Sequence, residues 1–370
     1  MRVVIRVDAS VQIGTGHVMR CLTLANKLRE NGASVQFICR EFPGNICSII
    51  QENGFIVHKL PLPTQRFSRH GERELYEQWL GETWETDVVQ TCEVVNAVEK
   101  KFDLLVVDHY AIDNRWESQI RSCISQIMVI DDLANRSHDC DLLLDQNFYE
   151  NMETRYAHLL PEHCVQLLGP SYALLREEFI EAQKNPHVRD GFVRRIFVFF
   201  GGSDPTNETE KALEAIKLLN RDELTVDVVV GNSNPNRERI RELCSQITNT
   251  YFHCQINNIA ELMVKADLAI GAGGSTTWER CSVGLPTLTV TTAENQVEVT
   301  DAVAKVGAIY HLGHYNDVST HSIADALHHL LLVPELLESM SRTGYLILDN
   351  FETGGSTRIA EIILAREVLC

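Results

Sequence analysis

Short, mostly apolar runs alternate along the chain with longer stretches in which apolar residues return every three or four positions. RVVIRV (2–7), SVQFIC (34–39), FIVHKL (55–60), DLLVVD (103–108) and QIMVID (126–131) are of the first kind. HVMRCLTLANKLRENG (17–32, stopped by Gly32), NICSIIQENG (45–54) and NRWESQIRSCI (114–124) are of the second. The short runs predict strands buried on both faces, and the three-to-four spacing predicts helices that cover them. Strand and helix in turn predict parallel sheets with helices on both sides. Residues 69–101 read as mostly helical and 132–163 as irregular.

The rhythm breaks at AQKNPHVRDG (182–191), a polar stretch with a proline and a glycine, and then starts afresh. RRIFVFF (194–200), LTVDVVV (224–230), NTYFHC (249–254), DLAIGAG (267–273) and LPTLTV (285–290) alternate with NETEKALEAIKLL (207–219), RERIRELCSQI (237–247), IAELMVKA (259–266) and STTWERCSVG (275–284). A chain of 370 residues is too long for one ordinary core. The expected architecture is therefore α/β, with two Rossmann-like domains, 1–184 and 192–370, whose parallel sheets face each other across a cleft. In such a pair the ligand is expected between the domains, at the carboxyl ends of the strands.

Charge narrows the choice of ligand. The net charge is −18, from 33 basic and 51 acidic residues, and a field of that sign repels nucleic acid and anionic membranes. No apolar run has the length of a membrane span, and Arg2, Arg6 and Asp8 are out of place in a signal peptide, so a cytoplasmic protein is expected. A phosphate-bearing ligand would have to be held by local devices such as helix N-termini. The 11 cysteines form no CxxC pair and read as free thiols. Beside His138 and Cys140 no second ligand pair stands at a useful spacing, and neither a metal nor a cofactor is expected. Nothing in the sequence encodes an oligomeric state.

Three glycine-rich turns fall at predicted strand ends: GTGH (14–17), GGSDPTN (201–207) and GAGGSTTWE (271–279). Glycine lets backbone approach a ligand closely and aims free amides at it. None is a Walker loop, and none fits GxGxxG with a following acidic residue. Singly each is an ordinary strand-to-helix turn; three together favour a nucleotide or phosphate ligand. Pro205 and Thr206 are placed to open the helix after the second turn. Glu279, about one turn beyond Ser275, reads either as a ligand for a ribose diol or as a solvated helix residue.

RVDASVQIGTGHVMRCLTLA (6–25), VVDHYAID (106–113), FFGGSD (199–204), IGAGGSTTWE (270–279) and AENQ (293–296) together resemble the PseG family. Its members are UDP-2,4-diacetamido-2,4,6-trideoxy-β-L-altropyranose hydrolases of pseudaminic acid synthesis. The same segments more distantly resemble the MurG-like glycosyltransferases of GT-B fold. The resemblance implies His17 as general base, presented by Gly14 and Gly16, with Tyr110 and Asn295 on the sugar side. It implies Gly273, Gly274 and Ser275 as the diphosphate cradle, Glu279 as the ribose ligand, and Gly201, Gly202 and Ser203 facing the same cleft. Arg20 belongs to the motif as a phosphate contact, the alternative being a surface ion pair on the first helix. The stretch around 60–100 is longer than in compact members of the family. The implied reaction releases free sugar and UDP from a UDP-sugar. Its rivals are a UDP-sugar-dependent GT-B glycosyltransferase and a protein that binds the nucleotide sugar without turnover. A strongly acidic chain with no basic amphipathic helix in its first half favours the hydrolase. A helix start disfavours positive charge, and a neutral imidazole has a lone pair to take a proton from water. Asp8, at the end of the first strand, is the carboxylate considered for orienting that ring.

Overall fold

The computed structural model describes residues 1–62, 76–348 and 354–367, so the helical expectation for 69–75 lies outside the described residues. The chain divides into two compact units: Met1–Asn147, Asn151–Leu174 and Gly354–Cys370 form the first, Phe148–Glu150 and Leu175–Thr353 the second.

The first unit is built on a parallel sheet of seven strands: β1 (Arg2–Val7), β2 (Ser34–Arg40), β3 (Ile56–Leu60), β4 (Leu104–Asp108), β5 (Gln126–Ile130), β6 (Leu142–Asp145) and β7 (Val165–Leu168). Their order across the sheet is β3-β2-β1-β4-β5-β6-β7. Val3, Ile5 and Val7 of β1 face Val18, Cys21, Leu24, Ala25 and Leu28 of helix Gly16–Glu30 in one buried cluster. Val4 looks to the opposite face, where Val88, Val95, Trp116 and Ile120 come from the other helices. A strand covered on both faces leaves no polar alternation, which is why these runs read as continuous.

Strands β6 and β7 depart from expectation, β6 lying inside the stretch read as irregular. LLLD is wholly buried but only four residues long, too short to show a period. VQLL is an edge strand with two exposed residues. From 76 to 97 the helical reading resolves into a 3₁₀ turn, Gln78–Leu80, and helix Trp84–Ala97, capped by the Thr83 hydroxyl, which accepts from the Thr86 amide.

The second unit repeats the plan with β8 (Arg195–Phe199), β9 (Thr225–Val230), β10 (Thr250–Cys254), β11 (Leu268–Ala272), β12 (Thr287–Thr291) and β13 (Tyr310–His314). All six are parallel, in the order β10-β9-β8-β11-β12-β13.

The unit boundaries differ from the expected 1–184 and 192–370. The chain leaves the first unit at Leu174, and helix Gly355–Glu367 returns to it, burying Ile359, Ala360 and Ile363 in the cluster of β1 and helix Gly16–Glu30. A Cβ on Gly355 would stand 2.5 Å from the Ala173 carbonyl, so the return needs glycine. Nor is 182–191 a free linker. Arg189 is buried and donates to the carbonyls of Met263, Val264, Ala266, Val283 and Gly284, tying the stretch into the second unit. The described cysteines are all unbridged. Among the described residues no helix is long and apolar enough to cross a membrane.

Candidate active site

In the first unit the sheet order reverses between β1 and β4, the position where doubly wound folds hold ligands at their strand ends. The chain leaves β1 through a tight turn. The Ser10 hydroxyl accepts from the Gln12 and Ile13 amides, and the Gly14 amide donates to the Ser10 carbonyl at 2.9 Å. Gly14 has φ +78°, the left-handed region that favours glycine. Helix Gly16–Glu30 then starts at once and sets His17 in its first turn.

Asp108, the last residue of β4, meets His17 there. Its Oδ1 lies 2.6 Å from His17 Nδ1, and Arg20 donates from Nε to Oδ2 and from Nη2 to Oδ1, each at 2.6 Å. Burial pushes the Asp108 carboxyl up, but Arg20 and then His17 outweigh it and hold it well below the usual carboxylate range. An ionised carboxylate can only accept, so the hydrogen of this pair sits on Nδ1 and the Nε2 lone pair is left for another proton. The Arg20 Nη2, 3.2 Å from Nδ1, is a neighbouring charge rather than a donor to it.

A second carboxylate extends the cluster. Asp132 accepts from Arg20 Nη1 at 3.2 Å and from the Tyr110 hydroxyl at 2.5 Å. The Tyr110 ring stands edge-on to His17 at 4.7 Å, and Trp79 stacks on Tyr110 at 5.6 Å. The long 60–100 stretch therefore delivers an indole beside the histidine.

Two expectations change here. Asp8 does not orient His17: it pairs with Arg6 at 2.7 Å, accepts the Arg40 amide at 2.6 Å and faces His109 Nε2 at 3.4 Å. Parallel register sets Asp108 opposite Val7, and with Asp8 engaged in these contacts the orienting role falls to the β4 carboxylate. Arg20 is neither a surface ion pair nor a guanidinium open to phosphate; it is buried and held by Asp108 and Asp132.

The second unit reverses its order between β8 and β11, and two of the glycine turns leave from there. After β8, Gly201 has φ +89°, Gly202 accepts the Gly231 amide at 3.0 Å, and Ser203 follows. Helix Glu208–Leu219 is not opened by Pro205 and Thr206. Its N-cap is Asn207, and the Asp204 carboxylate accepts the Glu208 and Thr209 amides at 2.9 Å each and so occupies them.

After β11 the turn is packed tightly. A Cβ on Gly273 would stand 2.6 Å from the Thr300 hydroxyl, and Gly274 has φ +97°. Ser275 N-caps helix Thr276–Ser282 with no side-chain capping bond. Gln296, beside Asn295 in the turn Glu294–Gln296, packs on Gly273 and Gly274 and accepts the Thr292 amide. Glu279 is buried, so the solvated alternative is set aside. Its Oε1 accepts from Arg176 Nε at 2.8 Å, while its buried Oε2 has no partner among the described residues.

The structure thus gathers Gly14, Gly16, His17, Arg20 and Tyr110 in one unit, and Gly201–Ser203, Gly273–Ser275 and Glu279 in the other. Asp108, Asp132, Trp79 and Arg176 escaped the residue-level reading. Asp108 stands in the VVDHYAID segment at the end of a strand, which was the available signal.

Two parallel α/β units of one strand order, with glycine loops at their reversals, define a protein of GT-B fold. MurG of Acinetobacter baumannii shares that fold with a TM-score of 0.63 over 98% of this chain and 99% of its own, at 13% identity. Residues 196–351 match the glycosyltransferase family 28 C-terminal domain. The particular relatives are closer in sequence. The chain is 28% identical over 309 residues to the UDP-2,4-diacetamido-2,4,6-trideoxy-beta-L-altropyranose hydrolase of Campylobacter jejuni, 83% of this chain and 97% of that one. It is 26% identical over 318 residues to the uncharacterized protein MJ1062 of Methanocaldococcus jannaschii, 84% of this chain but only 60% of that protein's length. The resemblance to the PseG-type hydrolases therefore runs through most of the chain.

Proposed function

We propose that the protein hydrolyses a UDP-linked 2,4-diacetamido-2,4,6-trideoxy sugar to free sugar and UDP, within cytoplasmic synthesis of a pseudaminic-type acid. The observation that carries this reading is the 2.6 Å contact between His17 Nδ1 and Asp108, which leaves Nε2 as a fixed proton acceptor. Nε2 takes a proton from water as the oxygen bonds to the anomeric carbon. The carbon–oxygen bond to the diphosphate breaks, and its electron pair leaves with UDP. General-base help of this kind is worth roughly 10²–10⁴ in rate. The loop Gly273–Ser275 holds the diphosphate and Glu279 the ribose, while Tyr110 and Asn295 contact the sugar.

Incubation with candidate UDP-sugars in ¹⁸O-labelled water, followed by NMR and mass spectrometry, tests the proposal. Free sugar carrying the label, plus UDP, is the expected outcome; label in UDP would mean phosphorus–oxygen cleavage. The match to a glycosyltransferase C-terminal domain favours a second reading, transfer to an acceptor, which would yield product only when an alcohol is added. Bound substrate with no product in either case would leave a binding protein.

Two further results are expected. Glu279→Ala weakens UDP binding by about 1.5–3 kcal/mol, the range for a hydrogen bond to a charged group. Calorimetry with UDP checks this, and unchanged affinity would make Glu279 only the partner of Arg176. Because backbone amides and helix dipole meet the leaving-group charge, turnover is expected to be undiminished in excess EDTA. Loss of activity that Mg²⁺ or Mn²⁺ restores would overturn that assignment.

A further inference from the structure

The second unit buries an arginine that, among the described residues, has no counter-ion. Arg280 is 1% exposed, yet its contacts are neutral: Nη2 donates to the Ala272 carbonyl at 2.7 Å and the Thr277 hydroxyl at 3.2 Å, and Nη1 to the Thr276 hydroxyl at 3.2 Å. Among the described residues its Nε has no partner, and no carboxylate lies within ion-pairing distance of it. Arg6 and Arg40, equally buried in the first unit, both rest on carboxylates, Asp8 and Asp87. A buried charge left unpaired is unfavourable, and proteins retain one only where something offsets it. Burial lowers Arg280 to about 10, against weaker opposing pulls from Cys281 and Glu279, so it remains a cation at neutral pH.

Its place suggests what offsets it. Ala272 ends β11, and Thr276 and Thr277 open the next helix, so the guanidinium lies directly behind the loop 271–275. The packing is close enough that a Cβ on Gly271 would stand 2.9 Å from Arg280 Nη1 and 2.6 Å from the Phe199 carbonyl. We propose that Arg280 is a positioning residue for the ligand's diphosphate, a fixed positive charge behind the glycine loop whose counter-charge is the pair of phosphates that the loop holds. This rests on the reading that the second unit binds UDP, and it deepens that reading. The loop amides supply direction, and Arg280 supplies net charge in surroundings where water does not screen it. The site therefore selects a nucleoside diphosphate over the nucleoside, even though the protein as a whole is strongly acidic.

Calorimetry on the whole chain with UDP and with uridine tests this in the wild type, Arg280→Met and Arg280→Lys. Arg280→Met is expected to weaken UDP about 10-fold or more, as on loss of one partner of a desolvated charge pair, with uridine unchanged within about twofold. Arg280→Lys keeps the charge without the guanidinium fork and is expected to retain most of the preference for UDP. Equal losses for UDP and uridine in both variants, or an undiminished preference in Arg280→Met, would overturn the proposal. So would failure of both variants to fold, since the charge would then belong to the core and not to the ligand. A wild type that binds neither compound overturns the UDP reading and this inference with it. A wild type that binds UDP beside an Arg280→Met variant of intact preference overturns this inference alone.

Discussion

Replacing His17 by glutamine is expected to lower turnover by roughly 10²-fold or more, the loss that follows removal of a general base. Glutamine approximates the ring's length and still offers a donor to Asp108, but it has no nitrogen lone pair to take a proton from water. The proposed UDP contacts belong to the other unit, so UDP affinity should hold within about twofold, a difference of less than about 0.5 kcal/mol. A purely structural His17 predicts the reverse pattern: a lowered melting temperature with turnover per folded molecule nearly intact. Turnover, UDP affinity and melting temperature measured on one preparation separate the two. A variant that melts early yet hydrolyses at the wild-type rate would remove His17 from the mechanism.

Asp108→Asn is expected to have the other large effect, on rate and stability together. The carboxylate can only accept, which keeps the hydrogen on His17 Nδ1. An asparagine that turns its NH₂ towards the ring favours the opposite tautomer, with hydrogen on Nε2 and no acceptor facing the substrate. With no acceptor facing the substrate, turnover is expected to lose the general-base contribution, roughly 10²–10⁴ in rate. The substitution also strips buried Arg20 of its twofold partner, leaving it Asp132 at 3.2 Å. Breaking a buried pair costs about 3–5 kcal/mol, and the surviving Asp132 contact places the expected loss towards the lower end. Long-range ¹H–¹⁵N NMR of the imidazole gives a reading that stability alone does not move: Nδ1–H in the wild type, Nε2–H in the variant. An unchanged tautomer beside a large loss of rate would refute the orienting role. The wild type also carries a pH signature of this carboxylate. A group held below its ordinary range contributes stability above that range and loses it as the pH falls through the folded value, a component that Asp108→Asn lacks in acid unfolding.

How far the sequence reaches is visible in single elements. RVVIRV became β1, residue for residue, and SVQFIC became β2 with one residue more, because a strand buried on both faces needs a continuous apolar run. The three glycine turns stood where expected, at the ends of β1, β8 and β11, each with a glycine at the positive φ that other residues resist. Strand β6 was illegible because four buried residues carry no period. The unit boundary was misplaced because the polarity of 182–191 says nothing of Arg189 reaching the carbonyls of Met263, Val264, Ala266, Val283 and Gly284.

By itself the sequence determined the alternation of strand and helix, the doubling of that pattern, the glycine loops and the histidine at the first of them. All of these are local, written in the spacing of neighbours whose burial sets their type. Only the tertiary structure decided which carboxylate holds that histidine, because Asp108 lies 91 residues away and reaches it solely through the pairing of β1 with β4. It likewise decided that the C-terminal helix closes the first unit, that Glu279 is buried against Arg176, and that Arg280, behind the glycine loop, has no counter-ion among the described residues. Each is a relation between residues that strand order brings together, and no spacing along the chain encodes strand order.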